Sequence, residues 1–216
     1  TDTLVYSTDM GIQMIRKYAA MFGLDRPSGI EISETSPELT TEDPERSAMG
    51  QGTNSYSNVQ LSRYVAALAN RGTVFELSLL DKLTDPEGNL IKDYTPEVSG
   101  HIEIEDSTWD AVQQGMRAVV SSGSAKQIFK DLEVEIAGKT GTAQESKTRG
   151  NHAFFISYGP YTNPDICVTV NIPYGYSSSN AAAVAKNIYR FYYGYTDLDY
   201  ILNTGALDVS NVRIGD

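Results

Sequence analysis

The chain has 216 residues, 40% of them hydrophobic and 21% charged, and its 28 Asp and Glu outweigh 17 Lys and Arg to leave a formal charge of -11. A chain of this length buries about 70% of the surface its unfolded form exposes, and this composition excludes collagen-like, low-complexity and wholly disordered chains. So acidic a surface repels phosphate backbones, which argues against nucleic acid as a partner.

The first nine residues have neither a basic start nor an apolar core, so no secretory or transit peptide is expected within the chain. The longest apolar stretches, near 166–172 and 181–184, fall well short of the roughly 20 residues a spanning helix needs. The helical spacing of Ile12, Ile15, Ala19 and Phe22 predicts a helix over 8–22, with Thr8 or Asp9 to cap it and Gly23 to end it. Residues 24–57 then turn to Gly, Pro, Ser, Thr and acidic side chains, which reads as one long loop, and a loop of that length is usually functional. Helical period returns over 57–70, where Val59, Leu61, Tyr64, Val65, Leu68 and Ala69 form the apolar face and Arg71-Gly72 close the end.

Residues 74–83 and 90–94 predict two strands of a hairpin around Asp85-Pro86-Glu87-Gly88-Asn89. A third helix is expected over 107–120, started by Ser107 and directing Trp109, Val112, Met116, Val119 and Val120 inward. Residues 134–144, 152–158 and 165–173 are β-branched or aromatic runs at hairpin intervals and predict three consecutive antiparallel strands. Ser177-Ser178-Ser179-Asn180 can cap a closing helix over 181–193 with Val184, Ile188 and Phe191 on one face. Beyond Gly194 the sequence is polar and reads as a peripheral tail. Helices, then a meander, then a helix indicate an α+β fold, an antiparallel sheet flanked by helices, with no internal repeat and no clean domain boundary.

The strand over 138–144, Gly-Lys-Thr-Gly-Thr-Ala-Gln, is the sharpest chemical feature. Gly138 and Gly141 leave it open to an extended ligand, while Lys139, Thr140 and Thr142 supply charge and donors suited to a peptide carboxylate. The same composition also describes a soft, bulged edge strand with no ligand. A phosphate loop is excluded, since only one glycine precedes Lys139 and a strand, not a helix, follows. His152 has no Ser or Cys placed beside it and reads as a strand-end histidine. The lone cysteine, Cys167, reads as a small buried hydrophobe. One Cys and two His leave no disulfide framework and no cysteine- or histidine-based metal site, and no cofactor is expected. The acidic run Glu31, Glu34, Glu38, Glu42, Asp43, Glu45 lacks the spacing of a calcium loop and reads as a solvated face. The tyrosines over 189–200 read as partly packed against the sheet.

Lys139-Thr140-Gly141-Thr142-Ala143-Gln144 resembles the Lys-Ser/Thr-Gly strand of penicillin-binding transpeptidases and serine β-lactamases. It is joined by Met49-Gly50-Gln51-Gly52 leading to Ser57-Asn58-Val59-Gln60-Leu61, by Phe22-Gly23-Leu24 to Ser28-Gly29-Ile30, and by His152-Ala153-Phe154-Phe155 to Gly159-Pro160. In order and spacing these resemble monofunctional, high-molecular-weight penicillin-binding proteins over about residues 8–193. The Gly-Gln-Gly loop and the Thr-Ala-Gln continuation favour the transpeptidases.

The resemblance implies a peptidoglycan D,D-transpeptidase that crosslinks stem peptides through a serine acyl-enzyme and is acylated by β-lactams. It implies that Lys139 and Thr142 are catalytic, that Thr140, Gly141, Thr142 and Gln144 bind substrate, and that Thr142 offers a backbone oxyanion donor. Its partners would be D-Ala-D-Ala stem peptides, β-lactams and the N-terminal remainder of the same protein, on the outer face of a membrane to which an N-terminal helix anchors it. One departure stands out, because no serine of the chain has a Lys three residues later. Ser178-Ser179-Asn180 and Tyr56-Ser57-Asn58 fit partner motifs only as patterns and read as helix starts. Residues 1–193 are therefore expected to be the C-terminal portion of a transpeptidase domain, with 194–216 a tail, inactive alone for want of the nucleophile. A non-catalytic module that keeps the fold for ligand sensing or protein interaction is the alternative.

Overall fold

A computed structural model describes residues 7–145 and 148–204. They fall into two compact units, Thr1–Glu103 and Ile104–Asp216, where the sequence offers no clean boundary. The order of elements is helices and short strands first, then an antiparallel meander and a closing helix, the α+β class that the patterning predicts.

In the first unit, helix α1 spans Thr8–Met21. Its cap lies one residue before the expected Thr8 or Asp9, since the Ser7 hydroxyl accepts the Met10 N–H at 3.3 Å. It ends as predicted at Gly23, whose φ of 72° lets its N–H reach Ala20 O while the Leu24 N–H reaches Ala19 O, both at 2.9 Å; glycine takes that left-handed backbone at little cost. The predicted long loop contains one short helix, α2 (Pro44–Ala48). Pro44 is its first residue, where the missing N–H would have had no partner. Helix α3 (Asn58–Ala69) carries a reciprocal capping box, with the Gln60 N–H on Ser57 Oγ and the Ser57 N–H on Gln60 Oε1. Val65, Ala67, Leu68 and Ala69 are buried, but so are Gln60 and Arg63, while the expected Val59, Leu61 and Tyr64 are only half-buried.

The predicted hairpin is reorganised. Only β2 (Lys82–Thr84) and β3 (Leu90–Asp93) pair around the Asp85–Asn89 turn. Strand β1 (Thr73–Glu76) instead pairs antiparallel with β4 (Glu97–His101), which the pattern did not reveal. The chain leaves β1 because a neighbouring loop captures its next backbone groups. The Leu77 N–H donates to Ser28 O at 2.9 Å, and the Glu31 carboxylate accepts from Ser78 Oγ and the Leu79 N–H.

In the second unit, helix α4 (Asp106–Ser121) begins after Glu105 without a side-chain cap, not at Ser107, and buries Trp109, Met116 and Val120 but leaves Val112 38% exposed. A single turn, α5 (Lys126–Phe129), follows. Strands β5 (Ala137–Ala143), β6 (His152–Gly159) and β7 (Ile166–Ile172) form the expected meander in that order. Its buried side carries Ala153, Phe155, Val168 and Val170, with Phe129 stacked on Phe155 at 5.4 Å between ring centroids.

Helix α6 (Ser178–Tyr192) is capped by Ser177 and buries Ala181, Ala182, Ala185 and Tyr189. The face shared by Val184, Ile188 and Phe191 is the exposed one. Alanines let the helix approach the sheet closely, and the Tyr189 hydroxyl donates to Ser157 Oγ at 3.0 Å, which in turn donates to Val168 O. Apolarity alone does not choose between two faces of which one is small and the other bulky. The segment expected as a tail includes helix α7 (Leu198–Thr204), and 205–216 lie outside the described residues.

Candidate active site

Strand β5 pairs with β6 on one side, and among the described residues no strand pairs with its other edge. Along it, Ala137 and Gly138 are buried, Lys139 is exposed, and Thr140, Gly141, Thr142 and Ala143 are half-buried; Gln144 is exposed just past its end. The positions expected to meet a ligand are thus reachable from solvent.

The two glycines have different reasons. A Cβ on Gly138 would lie 2.5 Å from Phe155 Cζ and 3.0 Å from Ile156 O, so this glycine serves the packing of Phe155 and not, as expected, the approach of a ligand. A Cβ on Gly141 would meet only Phe154 Cβ, at 3.3 Å, which leaves it the less crowded glycine of the strand.

Lys139 folds back along the strand, its Nζ donating to Thr140 O at 2.7 Å. The Thr140 hydroxyl lies 3.3 Å from Ser124 Oγ, on the turn between α4 and α5. Thr142 stands across from Ala153 in the sheet register, and Gly141 across from Phe154. Lys139, Thr140, Gly141 and Thr142 therefore form one short, solvent-reachable row offering an ammonium and two hydroxyls.

Past the end of β5 lies a cluster that the sequence did not assemble. His152 Nε2 is 3.0 Å from Glu145 Oε2, and its Nδ1 accepts the Tyr174 N–H at 3.3 Å. The Tyr174 ring sits 4.9 Å from the imidazole, and Arg149 donates to its hydroxyl at 2.8 Å. Hydrogen bonds, first from His152 and then from Tyr174, hold the Glu145 carboxyl below the ordinary range, with the charge of Arg149 acting in the same direction. His152 is thus the strand-end histidine the sequence suggests. Tyr174 and Tyr176 both take left-handed backbone, at φ of 55° and 63°, which turns the chain back over the start of β6. No periodicity marks Glu145, Arg149 and Tyr174, which meet only through the turns around the sheet.

The remaining candidates have structural duties. Burial pushes the half-buried Cys167 thiol up to about 12, so it stays protonated and unreactive at neutral pH. Glu34 accepts from the Ser28 N–H, Ser28 Oγ and Ser57 Oγ. Tyr189 is wholly buried, whereas Tyr192, Tyr195 and Tyr200 are exposed and Tyr193 donates its hydroxyl to Asp165. Gly50 takes a φ of 78°, and a Cβ on Gly52 would fall within 1.9 Å of Ser47 Oγ, so the Gly-Gln-Gly run is needed by the fold around α2. Ser57 and Ser177 act as helix caps, which places Tyr56-Ser57-Asn58 and Ser178-Ser179-Asn180 at helix starts as expected. Among the described residues no group of three or more His, Cys, Asp or Glu could hold a metal ion.

An antiparallel sheet flanked by helices and edged by a Lys-Thr-Gly-Thr strand is a fold found in penicillin-binding proteins. The family model for the penicillin-binding protein transpeptidase domain matches residues 4–190, and the chain belongs to that family. Peptidoglycan D,D-transpeptidase MrdA of Haemophilus influenzae is 28% identical over 236 residues, covering 89% of this chain and 35% of that protein. Penicillin-binding protein 2B of Streptococcus pneumoniae strain R6 shares the fold at a TM-score of 0.77 and 24% identity, over 89% of this chain and 34% of that one. PBP2 of Pseudomonas aeruginosa, solved in complex with WCK 5153, superposes at a TM-score of 0.72 and 26% identity, over 85% of this chain and 44% of that one. The chain spans a quarter to about a third of the length of the first curated relatives it matches.

Proposed function

We propose that these residues form the substrate-gripping half of a peptidoglycan D,D-transpeptidase whose nucleophilic serine comes from outside them. The observation that carries this reading is β5 itself, the edge strand of the meander among the described residues of a penicillin-binding transpeptidase domain, with Lys139, Thr140, Gly141 and Thr142 reachable from solvent.

In this reading a serine of a Ser-x-x-Lys motif attacks the carbonyl between the two D-alanines of a stem peptide. The acyl–oxygen bond forms, the terminal D-Ala leaves with its nitrogen protonated, and the amine of a second stem peptide displaces the serine to make the crosslink. A β-lactam follows the first half of that path, and its opened ring remains on the serine. The Thr140 and Thr142 hydroxyls hold the carboxylate of either ligand, and Lys139 supplies positive charge beside the nucleophile's partners. The Thr142 N–H is one of two oxyanion donors, the other belonging to the serine, and Gly141 and Gln144 line the extended peptide.

Residues 1–193 then make up the transpeptidase portion and 194–216 its periphery, with the work done at the outer face of a membrane to which a helix elsewhere in the protein anchors it. The 216 residues contain no Ser-x-x-Lys, so alone they bind without acylating. A fluorescent penicillin tests this: the protein as its gene encodes it takes up the label covalently, and the isolated 216 residues do not. Covalent labelling of the isolated chain would contradict the division of labour.

A further inference from the structure

Ser124 lies sixteen positions before Thr140 and belongs to no strand, yet its hydroxyl sits 3.3 Å from Thr140 Oγ1. We propose that Ser124 is a third hydroxyl of the carboxylate-binding subsite, acting beside Thr140; this rests on the reading of β5 given above.

The turn that carries Ser124 is built to a fixed shape. The Gly123 N–H returns to Ala118 O at 2.8 Å, the Ala125 N–H to Val119 O at 3.0 Å and the Lys126 N–H to Gly123 O at 3.1 Å. A Cβ on Gly123 would stand 3.0 Å from Val119 Cα and 3.1 Å from Ala118 O, so the chain folds back this tightly only with glycine there. On the far side of Ser124, Ala125 is wholly buried, and Phe129 one turn on stacks against Phe155. Phe155 is the residue paired with Thr140 in the sheet. The turn and Thr140 are thus tied to the same piece of core, and the two hydroxyls are held together by the fold and not by their own weak bond.

Ser124 is exposed, so it satisfies no buried group. Its chemistry is complementary to Thr140. Each hydroxyl has one proton and two lone pairs, so with no ligand one donates to the other and a single proton faces outward. A carboxylate laid against the pair accepts from both, exchanging one neutral hydrogen bond for two charge-assisted ones, which are roughly twice as strong. Lys139, next in the strand and exposed, holds its ammonium 2.7 Å from the Thr140 carbonyl. The site thereby gains selectivity for an anionic group over a neutral isostere of the same shape.

The test compares acylation by benzylpenicillin with acylation by its methyl ester, using the protein that carries the acylating serine. The wild type favours the free acid. Ser124→Ala lowers the rate with the acid about tenfold and leaves the rate with the ester unchanged, as loss of one hydrogen bond to a charged group predicts. Ser124→Thr, which keeps the hydroxyl, retains most of the preference. Equal losses with acid and ester, or no loss with either, would overturn the proposal while leaving the role of β5 intact. A wild type that is not acylated, or is indifferent to esterification, would remove the reading of β5 and this proposal with it.

Discussion

Arg63 projects from α3 with its side chain wholly buried, and donates to the carbonyls of Gly23, Arg26 and Pro27 while pairing with Glu76 at 3.8 Å. Burial, and then the charge of Arg26, lower its pKa from the ordinary value, with Glu76, Glu34 and Asp25 opposing them. Three carbonyls of one loop thus depend on a single guanidinium. Arg63→Met keeps the aliphatic volume and removes the donors, and is expected to cost about 1–3 kcal/mol by chemical denaturation, as leaving buried acceptors unsatisfied does. Glu76→Gln, at the solvent-facing end of the pair, should cost well under half of that. Glu34 supplies a pH signature for the same unit. Burial would raise its carboxyl, but hydrogen bonds from Ser57 and Ser28, with the charge of Arg63, carry it below the ordinary value. A lowered folded-state pKa gives stability that is present above the unfolded value, about 4.5, and lost as pH falls through the folded one. The wild type should therefore keep its thermal advantage over Glu34→Gln from neutral pH down to about pH 4.5 and lose it as the pH falls further, through the lowered folded-state value. An advantage that survives acidification would mean that the shape of the side chain matters and its charge does not.

Strand β5 separates glycine for packing from glycine for access. Gly138→Ala drives a methyl into Phe155 and the Ile156 carbonyl, and should cost about 1–3 kcal/mol. Gly141→Ala meets one side-chain atom at 3.3 Å, a little inside ordinary contact, and should cost the fold less than Gly138→Ala while crowding the ligand of the proposed site, so that stability and β-lactam acylation part company at these two positions. Helix α6 offers a parallel contrast. Ala185 is wholly buried, whereas Ile188 is 38% exposed, so Ala185→Leu should destabilise by about 1–3 kcal/mol through overpacking and Ile188→Ser by much less. The elements themselves were legible where one signal dominated. Alternating β-branched and aromatic residues located β5, β6 and β7, and the capping residue Ser57 with its apolar run located α3. What was not legible depended on partners far away in sequence. The pairing of β1 with β4 is decided by Glu31 capturing the backbone after β1, the inner face of α6 by the closeness of approach that alanine permits, and the burial of Arg63 by carbonyls some forty residues earlier. The candidate strand was readable because its chemistry is local, whereas Ser124 reaches it only through the fold.

At the scale of the whole chain, the family assignment covers residues 4–190, and the formal charge is -11. Such a charge gives an anionic ligand little long-range steering, so on the function proposed above its recognition depends on the short-range donors in the row from Lys139 to Thr142. That dependence is the central claim, and one comparison tests it most directly. The second-order rate of penicillin acylation should be measured for the wild type and for Lys139→Ala, in the protein that carries the acylating serine, with the melting temperature of each as control. Lys139 is exposed, so the melting temperatures should agree, and the rate should fall by about 10²- to 10³-fold, as the loss of a positioned electrostatic group in an acyl-transfer site predicts. Equal rates at equal stability would contradict the account.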